Sequence, residues 1–293
     1  MLEAAGTPGA ALLGLLGLLV GSFLNVVIHR LPKMMELRWA AECADLHPPE
    51  EPQTAVPATT PPDTFNLMVP RSRCPHCGHQ IRWYENIPMF SYLALRGKCS
   101  QCAAPISMRY PAVELTTAAL FAWCGWQWGL GWEALVWCGF SAAVLALACI
   151  DWDTTLLPDD ITLPLLWAGL CAAGLRLTDT ALPDALWGAV AGYVSLWLVY
   201  WAFKLVTGKE GMGYGDFKLL AALGAWLGWQ MLPLIIVLSA FVGAAVGIAL
   251  IVVRGRDRNI PSPFGPYLAA AGWIALIWGD QLVTFYTRTA GLK

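Results

Sequence analysis

The chain has 293 residues, of which 57% are hydrophobic and 13% are charged, and its formal net charge is -2. This composition leaves too little polar surface for one soluble domain of this size, so lipid is expected to cover most of the molecule. The chain has no basic excess and no arginine-rich stripe with interleaved aromatic residues, so nucleic acid is not expected as a partner. The composition therefore predicts a membrane protein.

The first apolar stretch, residues 10–28, carries no charged side chain. Its length is about what a hydrocarbon core of ~30 Å requires of a helix. A signal peptide is the alternative, but such a segment begins with basic residues, and only Glu3 carries side-chain charge before Ala10. We therefore predict a retained span. Similar apolar runs follow at residues 113–130, 134–150, 161–175, 185–203, 231–253 and 267–285.

Residues 219–253 are too long for a single crossing, because one helix of this length would extend roughly 52 Å. Gly228, Gln230 and Pro233 suit a turn, so we predict two helices here and eight spans in all. With the N-terminus outside, this count places 15 of the 18 Lys and Arg residues on the cytoplasmic side, as expected for membrane proteins. The predicted fold is an all-α polytopic membrane protein with about eight transmembrane helices and both termini on the outer side.

The one long polar segment, residues 29–110, follows the first span and is predicted to be a small cytoplasmic domain. It is too short to build a large core and is expected to need a staple. Within it, residues 42–63 are rich in Pro, Thr and Glu and are predicted to be an extended or disordered insertion. Residues 111–287 are predicted to form a membrane-embedded core of seven helices.

The polar segment contains a four-cysteine pattern, CPHCG followed by CSQC, formed by Cys74, Cys77, Cys99 and Cys102. Two tight turns with this spacing bring four thiolates around one tetrahedral ion. Two disulfides or a CxxC redox couple are the alternatives, but thiols stay reduced in the cytoplasm, which favours zinc. Four thiolates leave no position for water, so the predicted zinc is structural. His76 and His79 are expected to be exposed turn residues.

Two acidic clusters lie at predicted cytoplasmic ends of spans: IDWDTTLLPDD, with Asp151, Asp153, Asp159 and Asp160, and GMGYGDFK, with Asp216. Ionisable groups beside apolar spans are costly and therefore functional candidates. Two carboxylates that share a site cannot both ionise easily, so one can keep its proton while the other acts as general base on water. Helix capping is the alternative: we expect it for Asp159 and Asp160, and for Asp216 both interpretations stay open.

Other catalytic patterns are weak or absent. The glycines at 211, 213 and 215 suggest a nucleotide-binding or S-adenosylmethionine loop, but no strand precedes them. The sequence has neither HExxH nor GxSxG, which argues against zinc and serine proteases.

Four segments, GSFLNVVIHRLP, CPHCG with CSQC, IDWDTTLLPD and KEGMGYGDFKLL, resemble the bacterial type IV prepilin peptidases, a family of GxGD aspartic proteases. The resemblance covers nearly the whole chain. It implies that Asp151 and Asp216 are the catalytic pair, and that Asp153, Asp159, Gly213 and Gly215 support them.

The resemblance also implies the reaction. Prepilin and pseudopilin precursors of type IV pili or type II secretion would be cut after a glycine at the cytoplasmic face of the bacterial inner membrane. The new N-terminal residue would then be methylated from S-adenosylmethionine, for which Gly97 and Lys98 are the candidate residues. Zinc is assigned to the loop and not to cleavage.

Two other functions remain open. An ion-coupled transporter would use Asp151 and Asp216 near the bilayer midplane, and this hypothesis leaves the four-cysteine loop unexplained. An archaeal-type preflagellin peptidase would share the GxGD motif but is expected to lack the four cysteines.

Overall fold

The computed structural model describes residues 3–46, 65–209, 211–254 and 263–289. The chain divides into two compact units, residues 1–142 and residues 143–293. The described residues contain no β-strand. Their α-helices are α1 (Glu3–Leu46), α2 (Phe90–Ala94), α3 (Arg109–Trp128), α4 (Trp132–Thr154), α5 (Asp159–Gly174), α6 (Leu182–Thr207), α7 (Tyr214–Leu227), α8 (Leu232–Arg254) and α9 (Gly265–Thr289).

In the first unit, α1 and α3 pack against each other along much of their length through small residues. Gly9 lies against Gly125, and a Cβ at Gly17 would come within 2.7 Å of the Ala118 Cα. Small residues let two backbones approach closely, which is a common way for membrane helices to gain van der Waals contact. The segment between these helices carries the four cysteines, a 3₁₀ helix (Trp83–Asn86) and α2.

Helix α1 is longer than the sequence predicted. It continues beyond the predicted span at residues 10–28 and ends at Leu46, so residues 42–46 are helical and the expectation of extended chain there was wrong. Strong helix formers dominate MELRWAAECADL, and proline is absent from it, which explains the continuation. The rest of the predicted insertion, residues 47–63, lies outside the described residues.

In the second unit, α7 is almost entirely enclosed by its neighbours, and its residues from Asp216 to Trp226 are largely buried. Gly188 of α6 packs directly on Gly224 of α7, where a side chain on either residue would collide with the opposite backbone. On the other side, the Trp226 indole N–H donates to the Leu165 carbonyl of α5 at 2.8 Å. These contacts fix the short helix that begins with the GxGD segment.

The break predicted within residues 219–253 is confirmed. Helix α7 ends at Leu227, Gly228 adopts a positive φ of 83°, and a 3₁₀ turn (Trp229–Met231) leads into α8. A positive φ is readily adopted by glycine, which has no Cβ to clash with the backbone. Two helices, not one, therefore occupy this stretch.

Among the described residues, five helices are long and apolar enough to cross a membrane. They are Gly6–Leu46, Trp132–Thr154, Leu182–Thr207, Trp229–Leu250 and Gly265–Thr289. Helices also occur at the three other predicted spans, as α3, α5 and α7, but these do not combine the same length and apolarity. The all-α membrane architecture is thus confirmed, while the count of eight crossings stays a prediction.

Candidate active site and four-cysteine cluster

The end of α4 and the starts of α5, α7 and α9 lie together at one end of the second unit. The Asp151 carboxylate contacts Gly265 at the start of α9, and Lys218 of α7 contacts Asp159 at the start of α5. Helices that alternate in direction bring every second connection to the same end, so residues far apart in sequence become neighbours. The two acidic clusters are brought together in this way.

Asp151 lies in the last turn of α4 and is only 4% exposed. Its Oδ2 atom accepts a hydrogen bond of 2.8 Å from the backbone N–H of Gly265, the first residue of α9. A helix N-terminus carries partial positive charge and unpaired N–H groups, so it favours a carboxylate at this place. A Cβ on Gly265 would lie 2.8 Å from the same oxygen, so only glycine permits this close approach.

Asp216 is the third residue of α7 and is 7% exposed. Its carboxylate interacts with the backbone N–H of Gly213 and repels the carboxylate of Asp151 electrostatically. Its Oδ1 atom is buried and has no hydrogen-bond partner among the described residues. A buried polar atom without a partner is costly in free energy and therefore needs an explanation, of which a catalytic role is one.

The two aspartate segments also touch each other through residues that flank the acids. Gly215 packs on Leu157. If Gly215 carried a Cβ, that atom would lie 2.7 Å from the Leu157 Cβ. The Lys218 ammonium donates to both carboxylate oxygens of Asp159 at 2.7 Å. One packing contact and one ion pair therefore join the two segments on either side of the buried carboxylates.

The capping prediction for Asp159 and Asp160 was wrong. The N-cap of α5 is Pro158 and makes no side-chain capping bond, while Asp159 pairs with Lys218 instead. The N-cap of α7 is Gly213, so Asp216 is not the N-cap residue but lies at the third position of the helix, from which its carboxylate interacts with the Gly213 N–H. Asp153 and Asp160 are exposed, in contrast to Asp151 and Asp216.

The depth of the acids along their helices bears on the transporter hypothesis. Asp151 lies three residues before the end of α4, and Asp216 lies two residues after the start of α7. A carrier would be expected to place its acids near the middle of long spans. Acids at helix ends fit a reaction at the membrane surface better.

In the first unit, the four cysteines form one cluster. The Sγ atoms of Cys74, Cys77, Cys99 and Cys102 all lie within 4.8 Å of one another. The Cys74 and Cys102 sulfurs are 3.8 Å apart, and the Cys77 and Cys99 sulfurs are 4.0 Å apart. Four sulfurs bound tetrahedrally at about 2.3 Å from zinc would be about 3.8 Å apart. The donor set and spacing therefore fit a single tetrahedral metal ion.

The two CxxC segments adopt the same turn. In the first turn, the Cys74 N–H donates to the His79 carbonyl and the Gly78 N–H donates to the Cys74 carbonyl. In the second turn, the Cys99 N–H donates to the Ala104 carbonyl and the Ala103 N–H donates to the Cys99 carbonyl. The residue after the second cysteine has a positive φ in both turns, 71° at Gly78 and 56° at Ala103. Such turns aim backbone N–H groups at sulfur. The N–H groups of Cys77 and His76 lower the pKa of the Cys74 thiol to about 7. The His79 N–H also acts to lower the pKa of the Cys77 thiol, but burial and the neighbouring thiols raise it to about 12.

His76 is exposed, as expected, but His79 is not a simple turn residue. Its Nε2 atom lies 3.2 Å from the Glu85 carboxylate, and its side chain is 19% exposed. His79 therefore belongs to the packing around the four-cysteine cluster.

Comparison with known proteins gives consistent matches for both units. Residues 15–128 match the bacterial peptidase A24 N-terminal domain, and residues 138–248 match the type IV leader peptidase family. A prepilin leader peptidase/N-methyltransferase of Pseudomonas aeruginosa is 57% identical over 95% of this chain and 93% of its own length. The chain belongs to the type IV leader peptidase family.

Other relatives agree. Proteins of the same name from Aeromonas hydrophila and Burkholderia pseudomallei strain 1026b are 54% and 52% identical, each over 94% of this chain. The matched regions cover 93% and 86% of those two proteins. No solved structure matches the chain.

The candidate methyl-transfer residues lie in the four-cysteine segment. Gly97 is buried with φ at 67°, and a Cβ there would lie 2.8 Å from the Tyr92 hydroxyl. Its carbonyl accepts the Ile106 N–H at 2.7 Å. Lys98 is exposed and directly precedes Cys99, the first residue of the second cysteine turn. Gly97 thus shapes the chain that presents Lys98.

Sequence reasoning missed two residues of the candidate active site, Lys218 and Gly265. A signal for Lys218 was present, because a lone cation two residues after a buried acid needs an anionic partner. For Gly265, the signal was the Gly-Pro pair that opens the last helix, since proline is favoured in a first helical turn. Neither signal identifies which distant residue is contacted.

Proposed function

We propose that this chain cleaves the leader peptides of type IV prepilins and pseudopilins after a glycine, and then N-methylates the new N-terminal residue. The single observation that carries the cleavage proposal is the pair of buried carboxylates, Asp151 and Asp216, which are close enough to interact electrostatically. Two aspartates and water suffice for peptide hydrolysis in aspartic proteases. The names of the relatives support both activities.

Hydrolysis divides the work between the two carboxyl groups. The ionised carboxylate accepts a proton from water as the water oxygen bonds to the scissile carbonyl carbon. The protonated partner gives its proton to the scissile nitrogen as the C–N bond breaks, so the nitrogen leaves as an amine. The dyad ends with its proton held on the opposite carboxyl group and is restored when that proton is exchanged.

The surroundings suggest which acid has which role. The Gly265 N–H at the start of α9 hydrogen-bonds to Asp151, and such a donor favours the charged form of a carboxylate. Asp216 has a buried oxygen without a partner among the described residues, which suits a carboxylic acid that shares its proton with substrate or water. We therefore assign the base role to Asp151 and the acid role to Asp216. Asp153, Asp159, Gly213 and Gly215 support this pair.

The helices suggest where the reaction occurs. The buried acids lie at the end of the second unit where α6 ends and α7 begins. Lys204, Lys209 and Lys218 lie at this same end. Basic residues near span ends favour the cytoplasm. We place the site at the cytoplasmic face of the bacterial inner membrane, with both termini in the periplasm. A precursor with a basic leader and an apolar helix would present its scissile bond at this depth.

The four cysteines are proposed to hold structural zinc. The sulfur geometry fits a tetrahedral ion, and four thiolates exclude a water ligand. The ion would join the turn at residues 74–79 to the turn at residues 99–104. Zinc thus supplies folding free energy to a segment too small to have a large core.

Methyl transfer is proposed for the first unit, with Gly97 and Lys98 as candidate residues. S-adenosylmethionine would supply the methyl group when bound. The chain would contribute the polar surface around the four-cysteine cluster, which holds a group of fixed charged and aromatic side chains.

The experiment is product analysis of a purified prepilin incubated with the purified enzyme in detergent and S-adenosylmethionine. Mass spectrometry should show a mature pilin that begins directly after the leader glycine and carries one added methyl group. Omission of S-adenosylmethionine should give the same cleaved chain without the methyl group. An uncut precursor would refute the cleavage proposal, and a cut but unmethylated product would refute the second activity.

A further inference from the structure

The four-cysteine segment contains a cavity of about 480 Å³ that the cleavage site does not use. Its walls include Tyr84, Glu85, Leu95 and Ser100. A second cavity of about 850 Å³ shares Arg82 and other lining residues with it. Small-molecule sites usually occupy about 300 to 1,000 Å³, so the pair can accept an extended ligand of nucleoside size.

One side of the cavity carries a fixed negative charge. The Glu85 carboxylate accepts the Arg82 backbone N–H at 2.8 Å and lies 3.2 Å from the His79 ring. These donors, with the Ser100 hydroxyl, hold the pKa of Glu85 at about 2, the Arg82 N–H being the largest cause. The group is therefore ionised at neutral pH. A carboxylate has about four acceptor positions, so one remains for a ligand.

The adjoining side carries positive charge and aromatic surface. The Arg82 guanidinium donates to the Tyr84 hydroxyl at 2.6 Å and keeps its other N–H donors. The indole of Trp83 is 80% exposed in the second cavity. Arg71, also in that cavity, has no hydrogen bond or ion pair with any other residue in the described part of the chain.

An anion, a cation and a flat apolar surface in one cavity define a narrow ligand class. The ligand should carry a positive centre for Glu85, a carboxylate for Arg82 or Arg71, and an aromatic ring for Tyr84 or Trp83. We propose that this double cavity binds S-adenosylmethionine, with its sulfonium or ammonium group near Glu85 and its carboxylate near an arginine. The inference rests on the proposed methyl transfer and gives that activity a binding site.

A phosphate ligand and a purely structural role for Glu85 both fit the cavity less well. Phosphate would meet the arginines of the larger cavity but would be repelled in the smaller one by Glu85, which is held there in its ionised form. A structural role explains the bonds of Glu85 to His79 and Ser100, which belong to the two cysteine turns. That role does not account for the exposed Trp83 or for the unpaired Arg71. Because Glu85 has this structural role as well, the test uses other residues.

The test measures binding of tritiated S-adenosylmethionine to the full-length enzyme in detergent by equilibrium dialysis. Ala94→Trp fills the smaller cavity, which Ala94 lines, and Tyr84→Ala removes its aromatic wall. Ala41→Trp is the matched control, because Ala41 is exposed on α1 and lines neither cavity. Metal content and leader cleavage are measured on every variant to show that both units are folded.

We expect both cavity variants to bind at least tenfold more weakly than wild type while they keep their metal and cleave the leader normally. Ala41→Trp should bind as wild type does, and S-adenosylhomocysteine but not inorganic phosphate should compete. Unchanged binding in the folded variants, or competition by phosphate, would overturn the site while methyl transfer stands. Wild type that cleaves but neither binds nor methylates would instead refute the proposed methyl transfer itself.

A second measurement needs no variant. Ultraviolet cross-linking of the tritiated donor to wild type, followed by peptide mapping, should place the label within residues 67–101, or at Val26 or Arg30, which also line the larger cavity. Label confined to any other segment would overturn the proposal even if both variants failed to fold.

Discussion

Lys218 donates to both carboxylate oxygens of Asp159 at 2.7 Å, and this ion pair joins the two segments that carry the buried aspartates. Lys218 follows Asp216 by two residues on α7, and Asp159 opens α5. The pair is partly exposed, with 28% and 53% of the two side chains accessible. Exposed ion pairs contribute only about 0 to 1 kcal/mol to stability, so a positioning role explains this pair better than a stabilising one.

We therefore expect Lys218→Asp and Asp159→Lys each to lower the rate of leader cleavage about tenfold, because like charges would separate the two segments. The double variant should restore most of the rate, since it rebuilds the pair with exchanged charges. Cleavage kinetics and thermal unfolding of all three proteins are the measurements. A double variant no better than either single one would mean that the ion pair does not position the acids.

The cleavage rate should be sensitive to the addition of a single methyl group at Gly265. A Cβ at this position would lie 2.8 Å from the Asp151 Oδ2 atom and displace the carboxylate or the start of α9. Because misplacement of a catalytic group by about 1 Å can cost about a hundredfold in rate, we expect a loss of that size in Gly265→Ala. Steady-state cleavage assays measure it.

The matched control for Gly265→Ala is Gly247→Ala in α8, where a Cβ would meet no described atom within 4 Å apart from the adjacent backbone of its own helix. This variant should cleave at the wild-type rate, and both variants should methylate a precleaved pilin normally. If Gly265→Ala cleaves as fast as the control, the contact with Asp151 has no catalytic importance.

The fold and the site differ in how much the sequence could reveal. The four cysteines were predicted from the spacing of their two CxxC segments. Asp151 and Asp216 became candidates because ionisable groups beside apolar spans are rare, whereas their pairing was implied only by the family resemblance. Lys218 with Asp159, and Gly265 with Asp151, were missed because these contacts arise only when separate connections meet. The capping prediction for Asp159 failed for the same reason. The Lys218 ammonium of α7 binds the Asp159 carboxylate in place of the local backbone N–H groups.

Metal removal should unfold only the four-cysteine segment. In Cys99→Ser one thiolate of the cluster is lost, so we expect zinc to be released and residues 65–108 to become sensitive to protease. Cys171→Ser is the control, because Cys171 is exposed and lies outside the cluster. Metal analysis and limited proteolysis follow both changes. Purified wild type without bound metal would contradict the assignment of zinc.

Asp153 tests whether burial distinguishes the catalytic acid from its neighbour in the same motif. Asp153 is exposed on α4, whereas Asp151 is 4% exposed and bonded to Gly265. We therefore expect Asp153→Asn to keep at least about a tenth of the wild-type cleavage rate, a loss of at most about 1.4 kcal/mol in transition-state stabilisation. Equal losses in Asp153→Asn and Asp151→Asn would mean that the wrong acid was chosen.

The most direct test of the central claim is cleavage of a prepilin by purified wild type, Asp151→Asn and Asp216→Asn, with methylation of a precleaved pilin measured in parallel. Asparagine keeps the shape of each side chain but can neither accept nor supply the proton that hydrolysis requires. The predicted result is that each substitution abolishes cleavage while methylation of the precleaved pilin continues. Cleavage that persists in either variant would contradict a dyad of Asp151 and Asp216.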